Sequence, residues 1–146
     1  MHLSMFTDLA LRIVMRLATL NRDQTLTTHE LAEQLNVRYA HATKVVAALQ
    51  KLGVVETRRG RTGGVWITPT GAAMSIGFIA RELEGPGEVV DCDGPNPCPL
   101  RGGCLLRRAL RDAQDAFFMS LDRLRVSDLV AEPTQTLLLT LAPPGR

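Results

Sequence analysis

TTHELAEQLNVRYAHATKVVAALQKLGVVETRRGRTGGVWI, residues 27–67, decides the fold. Thr27 followed three places later by Glu30 is the spacing of a capping box, and Leu31, Ala32 and Leu35 give the helix it opens an inward face as far as Asn36. After the short link Val37-Arg38, a second helix is predicted over residues 39–52. It would bury Ala42, Val45, Val46 and Leu49, and Gly53 suits the left-handed backbone that follows a helix end. Two short helices joined so closely predict a helix-turn-helix. Residues 54–57 and 65–67 then read as two strands around Arg58-Arg59-Gly60-Arg61-Thr62-Gly63-Gly64, a basic hairpin tip, or wing, in which Arg58 can belong to the strand. A helix for the major groove, backed by arginines able to reach phosphates or the narrow minor groove, points to DNA.

Working outward, Met5, Phe6, Leu9, Ala10, Ile13, Val14, Leu17 and Ala18 recur on one helical face over residues 4–20, and Asn21-Arg22-Asp23 breaks the pattern. Downstream, Thr68-Pro69 announces a helix expected to run through Met74, Ile76, Phe78, Ile79 and Leu83 to Glu84-Gly85. Pro86 to Gly103 carries four prolines and four glycines around the cysteines, which argues against regular structure there. Leu106, Leu110, Ala113, Phe117, Leu121 and Leu124 then mark a long helix over residues 105–124, and packing against the same helix of a second copy would cover the stripe. The tail, with Pro133, Leu137-Leu138-Leu139 and Pro143-Pro144, is assigned no activity. The expected fold is mainly α with a small β-hairpin, a winged helix-turn-helix plus a long dimerisation helix. Its units are a DNA-binding domain (1–84), a cysteine loop (85–104), the dimerisation helix (105–125) and a tail (126–146).

The 146 residues, 45% of them hydrophobic, suffice for a core, and no apolar run approaches the roughly 20 residues of a membrane span. Met1-His2-Leu3-Ser4 does not read as a signal peptide, so the chain is expected in the cytoplasm without a membrane partner. A net charge of +2 identifies no partner, since basic residues matter for nucleic acid where they cluster. Local clustering selects Arg38, Tyr39, His41 and Lys44 at the start and on the exposed face of the second helix of the motif, and Arg59 and Arg61 in the wing, as DNA contacts. Tyr39 packed beneath the helix start and His41 as a solvated surface residue are the plainer alternatives.

Three cysteines are an odd number, and Cys92, Cys98 and Cys104 fall within thirteen residues, so metal or redox chemistry displaces a disulfide framework. Five residues separate each neighbouring pair, wider than the C-x-x-C knuckles of structural zinc sites, and Pro97 and Pro99 stiffen the middle position. Three thiolates can each take one iron of a cubane and leave one iron for another ligand, open to attack or exchange. A zinc-stabilised loop remains the alternative on spacing alone. Three buried structural thiols fit poorly among prolines, glycines and polar residues. An enzyme is not expected, because Glu88, Asp91 and Asp93 near the cysteines read as groups that solvate the loop. An electron-transfer protein would leave the wing and recognition helix unexplained.

The opening Phe6-Thr7-Asp8-Leu9-Ala10-Leu11-Arg12, the junction Leu52-Gly53-Val54-Val55-Glu56, the glycine-rich wing and Asn96-Pro97-Cys98-Pro99-Leu100-Arg101-Gly102-Gly103-Cys104 resemble NsrR-type members of the Rrf family of iron-sulfur winged-helix transcription regulators, whose relatives include IscR. The likeness spans residues 1 to about 130. It implies a homodimer on a palindromic double-stranded operator, with one 4Fe-4S cluster per subunit held by Cys92, Cys98 and Cys104. It further implies that a carboxylate near the N-terminus of the other subunit, here Asp8, completes the site, although an aspartate in a first helical turn is by itself simply a favourable charge. IscR-like relatives carry a histidine three residues after the third cysteine, where this chain has Arg107. Arg12, one turn beyond Asp8, would orient that carboxylate or replace iron as its partner. Glu84 is either a residue close to the site or an exposed helix-end glutamate. The resemblance implies a repressor that nitric oxide releases from DNA through the cluster; the spacing names no effector, and iron-sulfur status or redox stress are the other readings.

Overall fold

The computed structural model describes residues 1–141. Pro143-Pro144, and with them the end of the expected tail, lie outside the described residues. Helix α1 (Met5–Ala18) starts where the Ser4 hydroxyl accepts the Thr7 N–H at 3.2 Å, and it runs through the core with Ala10, Ile13 and Val14 wholly buried. Helix α2 (Thr28–Gln34) opens with the capping box read from Thr27 and Glu30, each side chain taking the other's backbone N–H. Asn36 turns the chain at φ 53°, and α3 (Tyr39–Lys51) follows, burying Ala42, Val45, Val46 and Leu49 as expected. Gly53 then adopts φ 73°, where a side chain would be strained. Strands β1 (Val55–Arg58) and β2 (Gly64–Ile67) pair antiparallel, Val55 opposite Ile67 and Arg58 opposite Gly64. Leu26 exchanges two backbone hydrogen bonds with Val65, which pins the hairpin to the segment before α2.

The single helix expected from Thr68 to Glu84 is in fact two, α4 (Pro69–Ala72) and α5 (Ile76–Glu84). The break has a tertiary cause. The Met74 carbonyl accepts the Val126 N–H at 3.2 Å and the Ile76 N–H donates to the Leu124 carbonyl at 2.8 Å, so groups that would continue a helix pair with chain some fifty residues on. Ser75 restarts the helix by accepting the Phe78 N–H.

Helix α6 (Leu105–Asp122) lies along α5. Gly77 allows the close approach, because a Cβ there would meet Asp122 and come within 2.5 Å of the Phe118 carbonyl oxygen. The apolar stripe predicted for one uncovered face divides. Leu110, Phe117 and Leu121 are half-buried against the chain's own body beside buried Phe118, while Leu106, Ala113 and Leu124 stay exposed, as do Leu105 and Met119 outside the stripe. After α6 a 3-10 turn (Val126–Val130) folds back on α1 with Val126 wholly buried, and the Leu137-Leu138-Leu139 run forms part of α7 (Thr134–Thr140), burying Leu138. Among the described residues, no helix is long and apolar enough to cross a membrane.

Candidate nucleic-acid interface and cysteine loop

With Ala42, Val45, Val46 and Leu49 turned inward, α3 leaves Arg38, Tyr39 and Lys44 exposed, and the hairpin tip leaves Arg59 and Arg61 exposed. Tyr39 is half exposed and stands against His29 of α2, ring centroids 4.3 Å apart, so it is both a surface group and a neighbour of the turn. His41 is half-covered, 6.2 Å from the Phe6 ring. Arg58 lies in β1, where its Nη2 donates to the Thr62 carbonyl at 2.9 Å and braces the tip that presents its two neighbours. Gly60, at φ 105°, accepts the Gly63 N–H at 3.0 Å to close the tip.

Sequence reasoning missed Arg16. It is 3% exposed, its Nε donates to Gln34 Oε1 at 2.8 Å and its Nη1 to Thr19 Oγ1 at 2.9 Å, and burial lowers its pKa. Through Gln34 this arginine ties α1 to the last turn of α2, beside a cleft of about 770 Å³ that the wing's Arg61 also lines. An i+3 spacing from Ile13 was the available signal, and it is weak for a charged residue.

Gly85, at φ 74°, ends α5 and starts the cysteine loop, which contains no helix or strand before α6. All three cysteines are free and half-buried. The Cys98 N–H donates to the Cys92 carbonyl at 3.0 Å, closing the first half of the loop, and Cys104 caps α6, its sulfur 3.5 Å from the Arg107 N–H. Desolvation raises the Cys92 thiol pKa; Arg107 opposes this, while Cys98, Glu88 and Asp93 push the same way as burial. Three soft donors on one short loop fit an iron-sulfur group in kind and supply all but one of the ligands a cubane takes. They are not drawn into a ligand shell: among the described residues, no three His, Cys, Asp or Glu side chains converge as a metal site.

Glu88 and Asp93, read from sequence as solvating the loop, are instead held by arginines. Arg107 Nε meets Glu88 Oε2 at 2.7 Å, Arg107 Nη2 meets Asp93 Oδ2 at 2.6 Å, and Arg111 reaches Glu88 at 2.6 Å. Hydrogen bonds from Arg107 and then Arg111 hold the Glu88 pKa down at about 2.

On α1, Asp8 and Arg12 form a forked pair, Oδ1 to Nε at 3.1 Å and Oδ2 to Nη2 at 2.6 Å, with both side chains half exposed. Glu84 is not a bare helix end. Its Oε1 accepts both the N–H and the hydroxyl of Ser4, each at 2.8 Å, so the residue before the cysteine loop clamps the start of the helix that carries Asp8. Burial raises the Glu84 carboxyl, but the bonds from Thr7 and Ser4 outweigh it and the net direction is down.

Three comparisons bear on this arrangement. The profile of the Rrf2 family, described as an iron-dependent transcriptional regulator, matches residues 3–132. The HTH-type transcriptional repressor NsrR of Streptomyces coelicolor is 59% identical over 142 residues, 97% of this chain and 96% of that protein. The HTH-type transcriptional regulator NsrR of Geobacillus kaustophilus is 34% identical over 134 residues, covering 90% of this chain and 91% of its own. Among solved structures, Staphylococcus aureus CymR superposes with TM-score 0.67 at 23% identity over 86% of this chain and 95% of that one. T. potens IscR superposes with TM-score 0.70 at 16% identity over 99% and 94%. These two likenesses concern the fold alone.

Proposed function

Because this chain belongs to the Rrf2 family and is accordingly a DNA-binding transcriptional regulator, we propose that it is a cytoplasmic, homodimeric repressor that carries one 4Fe-4S cluster per subunit and leaves its palindromic operator when nitric oxide reaches the cluster. The observation that carries this reading is the set of three free thiols, evenly spaced on one loop between the winged helix and α6. Cys92, Cys98 and Cys104 would hold the group, and Asp8 of the second copy would be the fourth ligand. When bound, the cluster supplies an iron site at which a small strong ligand such as nitric oxide can displace a protein donor.

The chain's own residues would convert that event into DNA release. Asp8 sits on α1, and α1 packs against the recognition helix α3, so a carboxylate drawn toward or away from the loop of the other copy biases where α3 stands. Arg12 is the competing partner, already paired with Asp8, and would take the carboxylate when the loop lets it go. Both recognition helices must enter grooves roughly 34 Å apart, so a small change in spacing is enough to lose the operator. On this reading residues 1–84 read DNA through Arg38, Tyr39, His41, Lys44, Arg59 and Arg61, residues 85–104 hold the cluster, and residues 105–125 pair the two copies.

The deciding experiment is an anaerobic titration with nitric oxide, following visible absorbance and operator binding in the same samples. The proposal expects both to fall together. Colourless protein that carries zinc and binds DNA regardless of nitric oxide would leave only the winged-helix regulator, and release by iron chelation but not by nitric oxide would make it a sensor of iron-sulfur status. Asp8→Ala should weaken cluster retention and uncouple it from DNA affinity. If Arg12→Ala leaves both unchanged, Arg12 is ordinary surface.

A further inference from the structure

The cysteine loop spans twenty residues without a helix, a strand or a disulfide, yet its two ends are tied together by one side chain. Arg107, in the first turn of α6, forks onto both oxygens of Glu88 at 2.7 and 3.0 Å and reaches Asp93, next to Cys92, at 2.6 Å. Its own N–H lies 3.5 Å from the sulfur of Cys104. Arg111, one turn along α6, binds Glu88 a second time, and Gln114, a further turn along, donates to the Gly87 carbonyl at 2.8 Å. Three successive turns on one side of α6 therefore grip the loop's entry, and Arg107, with a side chain 20% exposed against 54% for Arg111, is also bound to the residue beside the first cysteine.

We propose that Arg107 is a positioning residue for the three-thiol loop, a guanidinium clasp that holds the Cys92 end against the Cys104 end before any inorganic group is bound. Arginine suits the task because its planar fork can bind two carboxylates at once in fixed directions, which a lysine cannot do. The clasp means that loss of the inorganic group leaves the loop folded on α6 and ready to be refilled. The inference deepens the cluster reading and depends on it only for the loading step.

The test compares wild type with Arg107→Ala, Arg107→Lys and Glu88→Gln as reduced, chelator-stripped protein, by amide hydrogen exchange over residues 86–104, followed by anaerobic loading with iron and sulfide. Arg107→Ala is expected to speed exchange in the loop about fivefold or more while residues 9–17 of α1 keep their protection. Arg107→Lys, which retains the charge and loses the fork, should fall between. In wild type alone, raising salt toward 1 M, where the screening length is about 3 Å, should move loop exchange toward the variant's, a response that packing alone would not give. Loading should be slower in Arg107→Ala. Wild-type exchange in the Arg107→Ala loop at low salt overturns the proposal. If Arg107→Ala does not fold, Glu88→Gln carries the same comparison, and an unmoved loop in that variant overturns it equally. Should wild type take up no iron or sulfide while the loop still loosens in Arg107→Ala, the cluster reading fails and the clasp stands.

Discussion

Charged side chains in this protein act through particular partners rather than through net charge. Glu88 titrates at about 2, far below its ordinary 4.5, because Arg107 and Arg111 both donate to its carboxylate. A carboxyl lowered in the folded state contributes stability above its unfolded pKa, and that contribution disappears as pH falls from about 4.5 to about 2. Following the Glu88 carboxyl signal by NMR in metal-free protein should therefore give a midpoint near 2, and a midpoint near 4.5 would mean that the arginines do not hold it in solution. Arg16 represents the opposite case, a cation taken out of water with hydrogen bonds to neutral groups, Gln34 and Thr19. Among the described residues, Gln34 Nε2 is itself buried without a partner. Arg16→Ala would also strand Gln34 Oε1, and the expected loss is about 1–3 kcal/mol in urea unfolding, with α2 loosened against α1. A loss below about 0.5 kcal/mol would place Arg16 among ordinary surface residues.

Contact between helices rests on small residues and interrupted ladders. The α5–α6 seam needs Gly77, since a methyl group there would collide with Asp122 and approach the Phe118 carbonyl to 2.5 Å. Asp122 and Arg81 close the seam at 2.9 Å, and Ser75 donates to Asp122 at 3.0 Å. Gly77→Ala should destabilise the chain by about 1–3 kcal/mol through overpacking, read as a lower thermal midpoint, with the winged-helix unit retained. An unchanged midpoint would show that the seam yields at no cost. The same seam explains why α4 and α5 are separate. The backbone around Ser75 is taken up by the segment after α6, so a pattern that reads as one helix is cut by a partner far along the chain.

At the scale of the molecule, the proposed two-fold assembly on DNA would use the exposed face of α3, the wing and the uncovered side of α6. About six arginine or lysine contacts to phosphate per dimer predict that log affinity falls with log salt at a slope near −5, measured by fluorescence anisotropy on operator DNA. A flat response would remove the DNA face assigned to α3 and the wing. Leu106, 66% exposed on α6, tests the pairing of copies. Leu106→Glu should convert dimer to monomer in sedimentation and weaken operator binding by more than tenfold, whereas an unchanged sedimentation profile would put the dimer contact elsewhere. The capping box, the inward face of α3, the turn at Gly53, the wing and the thiol loop were all readable from the chain, because each depends on neighbours a few residues away or on side-chain chemistry alone. The sequence by itself thus determined a winged helix-turn-helix, a cysteine loop and a long amphipathic helix, in that order. Only the tertiary structure decided that Arg16 is buried against Gln34, that backbone bonds from Met74 and Ile76 to chain some fifty residues on interrupt a helix, that the α6 stripe is partly covered and partly exposed, and that Arg107 claims Glu88 and Asp93. The reason is physical: helical periodicity and capping are set by groups within about one turn, whereas burial and ion pairing are set by whatever the fold brings alongside.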